Sequence, residues 1–195
     1  MGYTLYIINV GDSQIILGSL SNNSNRWEVK YLSEKHTFEI PGESNRIILN
    51  GGRVDRMKNE KGKEAGPIRM YENKIESNIP GLAMSRSIGD NFAKKFGVSY
   101  EPDISKYNLK KEDKIIIIGT DGLFNCLNSE EIINELGNFY KDNKNAEEAA
   151  IHLIDYAKFK SKYRIKKKKK KFEINNNIYK GNYDDITCIV VFLEN

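Results

Sequence analysis

The stretch KIIIIGTDGLFNCL, Lys114–Leu127, decides how this chain is read. Four consecutive isoleucines have high β-propensity and mark an apolar strand. The strand stops at Gly119-Thr120-Asp121-Gly122, and a second apolar stretch begins. Such an ending either starts a turn or carries a carboxylate to a site. Asp-Gly is ordinary turn chemistry, so Asp121 alone decides nothing. Its relation to the other acids decides more.

The run ITCIVVFL, Ile186–Leu193, is a second strong strand, and Asp184 and Asp185 immediately precede it. If the two strands are antiparallel neighbours, the end of one and the start of the other share an edge of the sheet. A third acid, Asp12, falls in Gly11-Asp12-Ser13 between TLYIINV (Thr4–Val10) and QIILG. That pattern predicts a hairpin with Asp12 at its tip. Carboxylates gathered at strand ends repel one another unless a cation lies between them. Oxygen ligands of this kind suit a hard cation, Mg²⁺ or Mn²⁺. Three ordinary turn aspartates remain the alternative at this point.

Working outward, 195 residues predict about one domain with a sizeable core. The balance of 31 basic against 27 acidic residues is mild, and the lysine run 166–171 accounts for more than the excess. No aromatic residue interleaves those lysines, which argues for a solvated loop and against a nucleic-acid surface. No stretch has the roughly 18 apolar residues of a membrane span, so no membrane partner is expected. Two cysteines, Cys126 and Cys188, make neither a disulfide framework nor a zinc site. They read as packed thiols of a cytoplasmic or nuclear protein.

The remaining elements alternate. WEVKYL predicts a third strand, and Glu43–Asn50 a short helix stopped by Gly51-Gly52. Residues 55–80 are charged and punctuated by Gly and Pro, the pattern of a long surface loop. Asn128 with Glu131, and Asn145 with Glu148, are start signals for two helices. In the second, Ala149, Ala150, Leu153, Ile154 and Ala157 form an apolar stripe. His152 lies beside that stripe and reads as a surface or boundary residue. Residues 160–182 form a Lys/Asn-rich insertion before the last strand.

These segments, taken in order, resemble a known family. LYIINVGDSQIIL, GGRV (Gly51–Val54), GLAMSRSIGD (Gly81–Asp90), EPDI (Glu101–Ile104), IIIIGTDGLFNCLNSEEI and YDDITCIVV are similar to the later motifs of the metal-dependent Ser/Thr protein phosphatases, the PPM or type 2C family. The resemblance implies an α+β fold, an antiparallel β-sandwich with helices on both outer faces. It implies hydrolysis of phosphoserine and phosphothreonine in phosphoprotein substrates by a water on two divalent metals, Mg²⁺ or Mn²⁺. It assigns Asp121 and Asp184 as metal ligands and Asp12 to a weaker third metal. Gly122 and Arg86 flank the substrate, and residues 55–80 are a variable flap.

The departures are equally definite. The family's Asp-Gly-His-Gly-Gly motif supplies the bridging carboxylate and the general acid, and it has no counterpart here. Neither has its phosphate-binding arginine, so no catalytic residue is identified. His36, in LSEKHTF, matches a structural loop position. Asn125 stands where the family has a third-metal aspartate, and Asp185 where it has asparagine. Residues 1–195 thus read as a partial, incomplete PPM-type phosphatase domain. The alternative is a catalytically impaired pseudophosphatase or scaffold. An incomplete sandwich also predicts an exposed strand edge, self-association, or docking of an N-terminal complement.

Overall fold

The structure is a computed structural model that describes residues 3–22, 24–58, 62–72, 81–142, 145–171 and 184–194. The chain divides into two compact units. The first comprises residues 1–6, 13–33 and 106–195, and the second residues 7–12 and 34–105. The architecture is α+β with antiparallel sheets.

The sheet of the first unit is built from β2 (Gln14–Leu20), β3 (Trp27–Tyr31), β7 (Asp113–Gly119) and β8 (Cys188–Phe192), in the order β3-β2-β7-β8. All three pairings are antiparallel, so the two decisive strands are neighbours, which meets the condition for their flanking acids to share an edge of the sheet. One face carries Ile16, Ile117 and Val190 in register, packed under three helices. These are α3 (Asp121–Cys126), α4 (Ser129–Lys141) and α5 (Ala146–Lys171).

Both helix starts follow from their caps. Asn128 Oδ1 accepts the Glu131 N–H at 2.8 Å, and Glu131 Oε2 accepts the Asn128 N–H at 3.1 Å. Asn145 Oδ1 accepts the Glu148 N–H at 2.7 Å. Ala149, Leu153 and Ala157, four residues apart, are the buried line of α5. Gly137 of α4 lies flush against the Trp27 indole, leaving no room for a Cβ. Trp27 also meets the Tyr140 ring edge-on at 6.0 Å.

On the other face, burial declines across the sheet. Leu17 is fully buried, its neighbour Ile116 nearly so, and Val191 of β8 is 39% exposed. Ile189 is 54% exposed. Among the described residues, no strand pairs with the outer edge of β8.

The second unit holds α1 (Pro41–Leu49), the hairpin of β4 (Gly52–Lys58) and β5 (Glu64–Glu72), and α2 (Asn91–Lys94). Phe38, Ile47, Met70, Ala93 and Val98 form its core. Proline opens α1, where its missing N–H costs nothing. Gly51, at φ +79°, ends it.

Three expectations change. The first hairpin does not form: β1 (Thr4–Asn9) pairs with β6 (Asp103–Asn108). Both edges of β2 are taken by β3 and β7, so Asp12 sits on a bend between strands of different sheets. Of the segment read as a loop over 55–80, the described residues 55–58 and 64–72 are strands of the β4–β5 hairpin, in which Val54 lies opposite Met70. Its alternating apolar residues are hidden among charges; residues 73–80 lie outside the described residues. The insertion 160–182 begins as helix, because α5 continues to Lys171. Lysine is a good helix former. Residues 172–182 lie outside the described residues.

Candidate functional site

Each unit carries sequence-predicted site residues. Asp121, Gly122 and Asp184 belong to the first, Asp12 and Arg86 to the second.

In the first unit, the β7–β8 ladder ends at the pair Gly119 and Cys188. Thr120 continues the contact beyond it. Its N–H donates to the Thr187 carbonyl at 3.1 Å, and its Oγ1 accepts the Thr187 N–H at 3.1 Å. The same hydroxyl donates to the Asp185 carbonyl at 3.2 Å. Asp121 is the first residue of α3, so the strand hands its carboxylate to a helical turn. Gly122 is buried so close to the Asp185 carbonyl that a Cβ would collide with it. The segments carrying Asp121 and Asp184 are thereby locked at one end of the sheet.

The local polar contacts are modest. Asn125 Nδ2, one turn on, donates to Asp121 Oδ2 at 3.3 Å. Asp184 Oδ1 accepts the Asp185 N–H at 3.1 Å, and both acids are exposed. Among the described residues, no three carboxylate, imidazole or thiol groups gather at one point. Carboxylate oxygens are the donor type that Mg²⁺ and Mn²⁺ take, but two of them do not make a closed cage.

In the second unit, each of the three guanidinium nitrogens of Arg86 has a protein acceptor. Nη2 and Nε donate to Glu43 Oε1 at 2.8 and 3.1 Å, and Nη1 to Asp103 Oδ1 at 2.8 Å. Arg46 grips the same Glu43 from the other side through two nitrogens, at 2.6 and 3.0 Å. Burial pushes the Glu43 carboxyl up, but the hydrogen bonds from Arg46 and Arg86 outweigh it and hold it well below the usual carboxylate range. Arg86, expected beside the substrate, is held in a charged clasp between Glu43 and Asp103.

The sequence reading did not single out Glu43 or Asp103. The signal for Glu43 was its spacing three residues before Arg46 on one helix face. Cys188 is half-buried, its thiol pushed up by burial, as a packed thiol should be. His152 stacks on Tyr156 and reaches Glu135 at 3.1 Å, a boundary role.

Comparison with known proteins gives a consistent result. Residues 1–162 match the family model described as Protein phosphatase 2C. A probable protein phosphatase 2C 72 of Arabidopsis thaliana is 32% identical over 194 residues, covering all of this chain and 52% of the relative. A probable protein phosphatase 2C 12 of Oryza sativa subsp. japonica is 34% identical over 133 residues, 68% of this chain and 32% of the relative. Among solved structures, a serine-threonine phosphatase 2C from Toxoplasma gondii superposes with a TM-score of 0.77 at 21% identity, covering 98% of this chain and 55% of that one. A C. elegans sex determining protein gives 0.68 at 17% identity, with 98% and 37% covered. At these identities the structural likeness concerns the fold. The chain spans about half the length of the first curated relative.

Proposed function

Since the chain belongs to the protein phosphatase 2C family, we propose that its residues serve a metal-dependent hydrolysis of phosphoserine and phosphothreonine in phosphoproteins. The observation that carries this reading is the Thr120 lock, which ties the Asp121 and Asp184 segments to one end of the β7–β8 ladder. Asp121 and Asp184 are the anionic ligands in this reading. Bound Mg²⁺ or Mn²⁺ would supply an activated water and neutralise charge on the phosphoryl oxygens. Gly122 keeps the helix start close to the Asp185 carbonyl, so the two ligand-bearing segments stay in fixed relation. Asp12, on its own unit, is read as the ligand of a weaker cation site.

A second reading, a catalytically impaired relative, draws on Asn125. Its neutral amide occupies one carboxylate oxygen of Asp121, where an acid would have helped hold a cation.

Mn²⁺ titration calorimetry and phosphopeptide hydrolysis test both readings. The 195-residue chain should bind Mn²⁺ weakly, and Asp121→Asn should abolish that binding. Turnover should be slow for this chain alone and should rise when a family N-terminal segment is supplied. Binding that persists unchanged in Asp121→Asn would refute the ligand assignment. Absence of turnover with the segment present and metal bound would favour the impaired relative.

A further inference from the structure

We propose that His36 is a positioning residue that holds the Gly11–Asp12 bend in the form that presents the Asp12 carboxylate; the proposal rests on reading Asp12 as a cation ligand. His36 is 1% exposed, and its ring makes two opposed contacts. Nδ1 accepts the Gly11 N–H at 3.0 Å. That fixes the ring proton on Nε2, which lies 3.1 Å from Asp103 Oδ2. The Nε2 contact is off the hydrogen-bond line, so it acts chiefly as an electrostatic tether. The backbone closes the brace: the His36 N–H donates to the Gly11 carbonyl at 3.0 Å. Asn9, itself buried, adds a bond from Nδ2 to the same carbonyl at 3.3 Å and another to the Glu34 carbonyl at 2.9 Å.

Both polar groups of the Gly11 backbone are thus engaged immediately before Asp12. Gly11 has φ +110°, a conformation that favours glycine. A bend in that conformation has little intrinsic preference for one geometry, so its partners choose it. The tether does not end at Asp103. Asp103 Oδ1 accepts from Arg86, which is clasped by Glu43, and Glu43 is held on α1 by Arg46. The bend before Asp12 is therefore referenced to the packed core of the second unit through His36. A histidine that served only packing would not need its two nitrogens aimed at a backbone amide and a carboxylate.

The two nitrogens can be separated by substitution. Asparagine places an acceptor near the Nδ1 position, whereas glutamine reaches toward the Nε2 position. The 195-residue chain is compared with His36→Asn and His36→Gln by amide hydrogen exchange and by Mn²⁺-induced broadening of backbone amide signals. His36→Gln should speed exchange at the Gly11 amide about tenfold, the loss of one hydrogen bond. It should also reduce Mn²⁺ broadening at Gly11–Ser13 while leaving broadening at Asp121–Gly122 unchanged. His36→Asn should restore both toward the parent. If His36→Gln unfolds the chain, Asp103→Ala, at a half-exposed position, substitutes for it and should weaken the Gly11–Ser13 broadening with the Nδ1 acceptor intact. Parent-like broadening at Gly11–Ser13 in His36→Gln, or in Asp103→Ala where that is the variant read, overturns the positioning role. A parent chain without broadening at Gly11–Ser13 overturns the Asp12 reading, and the positioning role falls with it.

Discussion

Substituting Gly122 by alanine probes the junction on which the proposed chemistry depends. The added Cβ would collide with the Asp185 carbonyl oxygen, lie 3.1 Å from its carbon and reach Ile186 Cγ1 at 3.4 Å. Its obstacle is backbone, which cannot swing aside as a long side chain can. One segment must give way on the order of 1 Å, and overpacking of this kind costs about 1–3 kcal/mol. Thr120 opposes the movement, because its hydroxyl holds both the Thr187 N–H and the Asp185 carbonyl. If the strain shifts residues 184–186, the free energy is taken from metal binding, and affinity falls about 5- to 140-fold at 1.4 kcal/mol per decade. If it shifts α3 instead, it appears as lost stability of similar size. Urea unfolding with and without Mn²⁺, alongside calorimetry, separates the two. A Gly122→Ala chain with the parent's unfolding midpoint and Mn²⁺ affinity would refute the claim that this contact sets the spacing.

Glu43→Gln removes the charge between two arginines, Arg46 at 29% and Arg86 at 18% side-chain exposure, and should cost about 3 kcal/mol, the lower end for a broken buried pair; a urea midpoint within error of the parent would contradict the clasp. The folded carboxyls of Glu43 and Asp103 lie below their ordinary values of 4.5 and 3.8. Their stabilisation is therefore complete above about pH 5 and is lost as the pH falls through the folded values, so melting temperature should drop below pH 4, and less steeply in Glu43→Gln. Asn125→Asp places a like charge four residues from Asp121 and should destabilise the metal-free chain by about 0.2–0.5 kcal/mol while tightening Mn²⁺ binding, which melts and calorimetry would show. Ile189→Lys, on the exposed face of β8, should shift size-exclusion elution of the chain toward monomer, and a parent that is already a stable monomer would disprove association through that face.

Much of the first unit was legible because its signals are local. The isoleucine run, the final apolar strand and the two Asn…Glu caps each depend on a few adjacent residues. The antiparallel pairing of β7 and β8 stood in the sequence only as a condition, because nothing local to either strand names its partner. What failed was partner choice. Thr4–Val10 and Gln14–Leu20 have the alternation and turn of a hairpin, yet β2 is claimed on both edges by strands that are distant in sequence or lie beyond the turn. No turn residue announces that. The β4–β5 hairpin was obscured because Arg53, Asp55, Arg56 and Lys58 outweigh the apolar residues between them in composition. At the candidate site, the place of Asp121 and Asp184 at strand ends was legible because it depends only on where the apolar runs stop and start. The partners of Arg86 were not legible, since a free arginine and one clasped by Glu43 look alike in sequence. His36 gave a bland loop signal because its meaning lies in the separate partners of two ring atoms.

The seat of Trp27 against Gly137 also constrains how this chain can vary through descent. The indole fills the volume that any side chain at 137 would occupy, so neither position can change size alone without disturbing the contact between α4 and β3. A larger residue at 137 is compatible with the fold only alongside a smaller one at 27, and the reverse exchange leaves a void beside Tyr140. Across related chains the two positions should therefore vary as a pair, with glycine retained wherever tryptophan is.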